Sequence, residues 1–250
     1  MAQLAANHAI LDPNFVNHPL LDQEMRMQIA PHLLPLNHPM KVTLDSIFSQ
    51  SRVLENEDSL RNAGFIPICD SMPRSYVIVA RHSLIPGYVF KLYLDSETRC
   101  RKDVPHWIWL VRRCVGAMGI RKIIRQNQIR FFTVPDKWLY LVPAFPAANA
   151  VNPQPIILMA TDMQLESSEV TREKWKTAIT REHLDELYMI LKEGYGGHGV
   201  VSLEANVPFT KQGTFAFTDT EDPRAKPKLK HIRKFLSLEM QKYWDSLIHP

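Results

Sequence analysis

Glycine is scarce in this chain, 9 of 250 residues, against roughly 7% in an average protein. No G-x-G-x-x-G string precedes Tyr76, where a glycine-rich phosphate loop ahead of the first strands would stand; four of the nine glycines fall instead in Gly194-Tyr-Gly-Gly-His-Gly199, at the end of a helix. There are three cysteines, Cys69, Cys100 and Cys114. Their odd number and the lack of a C-x-x-C pair exclude a disulfide framework and a zinc ribbon. No apolar run approaches the roughly 18 residues of a membrane span. The first basic residue is Arg26, so the basic region of a secretory leader is missing. These absences predict a reducing, cytoplasmic setting, with export by a route that uses no cleaved signal left open. Among ten histidines there is no H-x-x-x-H or H-E-x-x-H, and no G-x-S-x-G elbow occurs. The histidines therefore read as cap, turn and surface residues rather than as zincin ligands, and the α/β-hydrolase elbow is absent.

What is present is a globular composition. Hydrophobic residues make up 45% and charged residues 22%, enough apolar surface to bury a core and to rule out a wholly disordered chain. The net charge of +4 is unevenly spread: residues 1–98 carry −3, residues 99–150 carry +8, residues 151–223 carry −6 and residues 224–250 carry +5. Basic blocks can attract phosphates or nucleic acid. So modest an imbalance argues instead for internal pairing and ordinary surface, and against nucleic acid as the partner.

Periodicity divides the chain further. Residues 1–60 form a helical arm, broken into short pieces by Pro19, Pro31, Pro35 and Pro39. A buried strand is expected over 76–80 and an alternating one over 88–94, joined by the turn at Pro86-Gly87. A helix is expected over 105–126, with Trp107, Val111, Cys114, Val115 and Met118 on its apolar face. Strands are expected at 129–134, 138–142 and 156–160. A polar connector at 162–170 leads to a helix ending near Glu193. Two short strands, 207–210 and 214–218, flank Lys211-Gln212-Gly213. A final helix carries Leu229, Ile232, Phe235, Met240 and Trp244. Strands come first and helices later, an α+β pattern.

Three residues take on meaning in that order. Lys91 lies on the second strand of the hairpin, in Val89-Phe90-Lys91. Asn206 opens the late strand pair. Asp219 follows it by 13 residues, in Asp219-Thr220-Glu221. The arrangement resembles the protein-kinase-like superfamily. The resemblance implies a two-lobed fold, with an antiparallel N-lobe sheet plus one helix over residues 61–165 and a shortened helical C-lobe over 166–250. It implies that Lys91 holds nucleotide phosphates. It implies further that Asn206, Asp219 and Glu221 hold magnesium, with ATP as the nucleotide. The departures are equally specific. Val201 stands where a catalytic kinase has its base. Helix 105–126 contains no Glu or Asp to pair with Lys91, and residues 66–74 carry no glycine.

Read without the family, Lys91 is a lysine snorkelling from a half-exposed strand, Asn206 a turn residue, and Asp219 and Glu221 acids at a strand end. The expectation is a pseudokinase that binds nucleotide weakly or not at all and acts through a protein partner. Two alternatives stay open: an active divergent kinase with an unknown acceptor, and a non-enzymatic interaction module.

Overall fold

A computed structural model of the chain describes residues 13–68, 76–195, 202–221 and 226–249. Helices are mixed with an antiparallel five-stranded sheet. The chain divides into two compact units. The first takes the described residues up to 111 together with 137–161; the second takes 112–136 and the described residues from 162 on.

The first unit begins with four short helices: α1 (Pro13–Val16), α2 (Gln23–Ile29), α3 (Lys41–Gln50) and α4 (Glu57–Asn62). The Asp22 carboxylate caps α2 by accepting the Met25 N–H at 2.7 Å, and Asn56 caps α4 through the Ser59 N–H at 2.9 Å. Such caps satisfy N–H groups that have no partner inside the helix. α3 buries Leu44, Ile47 and Phe48, spaced to share one helical face. Val53 and Leu54, buried in the turn that follows, pack into the same core as Phe65, Phe90 and Ile157 of the sheet. The N-terminal helices are thus part of this unit's core.

The sheet consists of β1 (Phe65–Pro67), β2 (Ile78–His82), β3 (Tyr88–Leu92), β5 (Lys137–Leu141) and β6 (Ile156–Thr161), in the order β1-β2-β3-β6-β5. All neighbours are antiparallel. β6 is buried from Ile156 to Ala160, as an unbroken apolar run in a central strand should be. β2 starts two residues later than the pattern predicts, because Tyr76 has φ 57°, a left-handed conformation that cannot extend. The hairpin turn ends at Gly87, φ 81°, which tolerates that conformation.

Helix α5 (His106–Gln126) passes from the first unit into the second. Its buried face differs from the expected one. Leu110, Cys114, Ala117, Ile120 and Ile123 are buried, whereas Val115 and Met118 are exposed. The stripe is rotated, and Arg113 lies inside it, held there by an ion pair described below.

In the second unit, β4 (Phe132–Thr133) is shorter than the expected 129–134. The buried Glu186 carboxylate takes the Arg130 and Phe131 N–H groups that a longer strand would use in a ladder. The helix expected to run unbroken to Glu193 is two, α6 (Ser168–Thr177) and α7 (Arg181–Lys192), because Thr180 and His183 form a capping box between them. Of the two late strands only β7 (Phe215–Ala216) forms, and it pairs in parallel with β4. The segment before it keeps two isolated bridges, Phe209 to Phe215 and Thr210 to Leu165. The expected terminal helix is also broken: a 3₁₀ stretch, Leu229–Phe235, precedes the last helix (Leu238–Ile248), which Ser237 caps. Trp175, Leu187, Phe215, Phe217 and Trp244 anchor this unit's core.

Candidate functional site

The late hairpin brings two of the expected residues together. A single helical turn, α8 (Leu203–Asn206), ends at Asn206. The chain reverses at Gly213, φ 86°, where the Thr210 N–H donates to the Thr214 carbonyl at 2.9 Å. On the way back, the Ala216 N–H donates to Pro208 O at 2.9 Å and the Thr218 N–H to Asn206 O at 2.9 Å. Asn206 therefore lies opposite Thr218, and Asp219 is the next residue. The 13-residue spacing closes into an adjacency in space.

The segment Asp219-Thr220-Glu221 is fastened to α5. The Thr220 hydroxyl donates to the Arg113 carbonyl at 2.6 Å. The Arg113 guanidinium pairs with Glu221 at 2.5 Å and with Asp219 at 3.5 Å. The Arg113 and Glu221 side chains are 1% and 3% exposed, while Asp219 keeps 24%. Among these three charged residues, then, Asp219 is the one that solvent reaches. One buried cation faces two carboxylates, so the trio carries about one net negative charge. Charge-assisted hydrogen bonds of this kind offset the cost of taking a guanidinium out of water.

Gly116 makes the approach possible. A Cβ at this position would lie 2.2 Å from the Thr220 carbonyl oxygen. Gly119, one turn further, would meet the Tyr195 ring at 2.0 Å. Two of the chain's few glycines thus stand in one helix, where each costs about 1 kcal/mol relative to alanine. Each gives room to a neighbouring segment.

Around Asn206 a second ion pair orders α8. Arg172 grips Glu204 with two bonds, 2.9 Å and 3.1 Å. This contact holds the Glu204 carboxyl below the ordinary carboxylate range. The Trp175 indole N–H donates to the Val207 carbonyl at 3.1 Å, which pins the residue after Asn206.

Lys91 belongs to the first unit. It is half-buried on β3, in register with Val79 on one side and Leu158 on the other. Asn206, Asp219 and Glu221 belong to the second unit. Among the described residues no group of three or more His, Cys, Asp or Glu side chains converges as a metal site. Glu221, expected as a magnesium ligand, has its carboxylate on Arg113. Val201, His198, Asp222 and Arg224 lie outside the described residues, as does most of the segment 66–74.

Pattern reading missed Arg113 and Gly116. Arg113 had a signal: a charge flanked by Leu110, Val111, Cys114 and Val115 on a helix without acids. Gly116 had one too, as a helix-interior glycine in a chain that has few. Neither signal names the partner, because Glu221 is 108 residues away. Compared with protein-family models, curated proteins and solved structures, the chain matches none.

Proposed function

We propose that the chain is a kinase-like protein that has lost phosphoryl transfer, a pseudokinase that binds nucleotide weakly or not at all and acts through protein interactions. The five-stranded antiparallel sheet, with α5 between its third strand and the later ones, supports the N-lobe part of this reading. One observation carries the loss of catalysis. The helix that should offer a glutamate offers Arg113, and its guanidinium pairs with Asp219 and Glu221. Magnesium needs carboxylate oxygens that are not already neutralised. Arg113 already engages Glu221 and, more loosely, Asp219, and so weakens their hold on a second cation.

The test is thermal unfolding with ATP, with and without magnesium, on wild type and Asp219→Ala, beside a phosphate-transfer assay over a broad acceptor panel. The expected result is no transfer and no stabilisation that depends on magnesium. A magnesium-dependent rise of roughly 5–11 °C at ATP about 100 times its Kd, lost in Asp219→Ala and accompanied by turnover, would sink the reading. That outcome would favour the second reading, an active divergent kinase. Its support is the Thr218–Asn206 hydrogen bond, which sets an amide and a carboxylate side by side, and positioning supplies most of the catalysis in phosphoryl transfer.

A further inference from the structure

The stretch Leu229–Phe235 is a 3₁₀ helix. Residues three apart therefore eclipse one another and form rows. One row is Leu229, Ile232 and Phe235. Ile232 and Phe235 are buried, and Leu229 packs against the same core. The other two rows are basic: Lys230 above Arg233, and His231 above Lys234. All four are exposed, as is Lys228 just before them. The apolar row anchors the segment and sets the basic rows at fixed places on a rigid support.

The acids nearest in sequence do not neutralise these lysines. Asp245 pairs with Arg233 at 3.3 Å, and Glu239 lies 3.7 Å from Arg181. Among the described residues Lys228, Lys230 and Lys234 have no carboxylate partner. Like charges held this close repel one another and weaken the fold unless an anion joins them. Two adjoining clefts open here. One, of about 400 Å³, is lined by Lys228, Lys230, His231 and His249, with Ile248 as an apolar wall. The other, of about 530 Å³, is lined by Lys230, His231, Arg233 and Lys234. Both share Lys230 and His231.

We infer that these paired clefts bind a compact soluble ligand carrying several phosphate groups, with Lys230 and His231 between two of them. Basic side chains gathered along one short segment outnumber the acids near them, Asp245 on Arg233 and Glu204 within electrostatic reach of Lys234, and so suit dianionic phosphates. Both depressions are shallow and open, as suits a charged ligand held at the surface. A long polyanion fits less well. The basic rows, from Lys230 to Lys234, span only about 8 Å at the rise of a 3₁₀ helix. The large aromatic rings nearest the rows, Phe235 and Trp244, are buried and offer bases no stacking platform. The inference is independent of the nucleotide reading, which concerns Asp219.

The test is calorimetric titration with inositol hexakisphosphate, with a single-stranded oligonucleotide of equal charge and phosphoinositide-containing vesicles as comparison arms. Wild type, Lys230→Ala/Lys234→Ala and Lys242→Ala are compared; Lys242 is an exposed lysine that lines neither cleft. The soluble ligand should bind wild type and Lys242→Ala alike. It should bind the double variant about tenfold more weakly or worse, with the unfolding temperature not lowered. The oligonucleotide should bind more weakly than the soluble ligand. No binding at physiological salt, equal affinity in the double variant, or tighter oligonucleotide binding would each overturn the proposal. Retention on vesicles without affinity for the soluble ligand would overturn it too, by assigning the phosphates to a lipid headgroup.

Discussion

Each unit buries one arginine against carboxylate, and the two sites are built differently. In the first unit Arg52 meets Asp95 through two bonds, at 2.7 Å and 2.9 Å. The Gln154 N–H donates to the same Asp95 carboxylate at 2.7 Å, and Arg52 donates to the Gln154 carbonyl at 2.9 Å. The pair is neutral, closed to solvent and shares its hydrogen bonds with the chain that enters β6. In the second unit Arg113 faces both Glu221 and Asp219, the latter at 3.5 Å and partly exposed. The first pair is closed to solvent on both sides, whereas the second leaves the Asp219 side chain 24% exposed. A closed pair holds loops in place; a carboxylate at the edge of solvent adds less to stability.

The sharpest way to break this comparison is to remove one acid from each unit. Asp95→Ala leaves Arg52 buried without its partner and should cost about 3–5 kcal/mol. That is a large part of the usual stability of a domain. Asp219→Ala should cost about 1 kcal/mol or less, since Arg113 keeps Glu221. Urea unfolding followed by circular dichroism measures both. Equal costs would mean that Asp219 is as structural as Asp95.

Acid should separate the units next. Burial pushes His32 down to about 4, and burial also lowers His18 and His38; all three are in the first unit. In the second unit burial lowers His183, which stacks on Phe131. Between the unfolded value of about 6.5 and these lower values, the unfolded chain binds more protons than the folded one. Stability is therefore full above pH 6.5 and falls as pH drops towards 4, with His32 alone contributing up to about 3 kcal/mol. The first unit should loosen first, seen as earlier amide exchange in β3 and β6 than in α7. His32→Gln should flatten the fall, and an unchanged slope would remove His32 from the account.

The smallest of the three effects bears on the second unit alone. Gly116→Ala gains helix propensity of about 1 kcal/mol, but it forces a methyl group against the Thr220 backbone. Overpacking of this kind costs about 1–3 kcal/mol. A backbone carbonyl cannot rotate out of the way, so the net effect should be destabilising. Thermal unfolding checks it, and net stabilisation would show that α5 and the Asp219 segment are not closely packed.

Much of this protein was legible in residue order. The hairpin around Gly87, the long helix from His106 to Gln126 and the buried strand at Ile156 follow from period, turn chemistry and length. So do Lys91 on a strand and the closeness of Asn206 to Asp219, since a short hairpin ties its ends together. The places where elements stop were less legible. Tyr76 in a left-handed conformation, Glu186 taking the amides before β4 and the Thr180 cap each depend on a side chain competing for backbone hydrogen bonds. A pattern of apolar residues does not record that competition.

The sequence by itself determined the local alternation of helix and strand, the absence of a membrane-length apolar run and the positions of the charged blocks. These depend on neighbours along the chain. Only the tertiary structure decided which face of α5 is buried, that Arg113 rather than an acid meets the Asp219 segment, and that Gly116 is where Thr220 lies against the helix. Arg113 and Glu221 are 108 residues apart. An ion pair of that separation exists only after the second unit has folded, because the attraction that offsets desolvation of the guanidinium arises only when two distant carboxylates are brought to it.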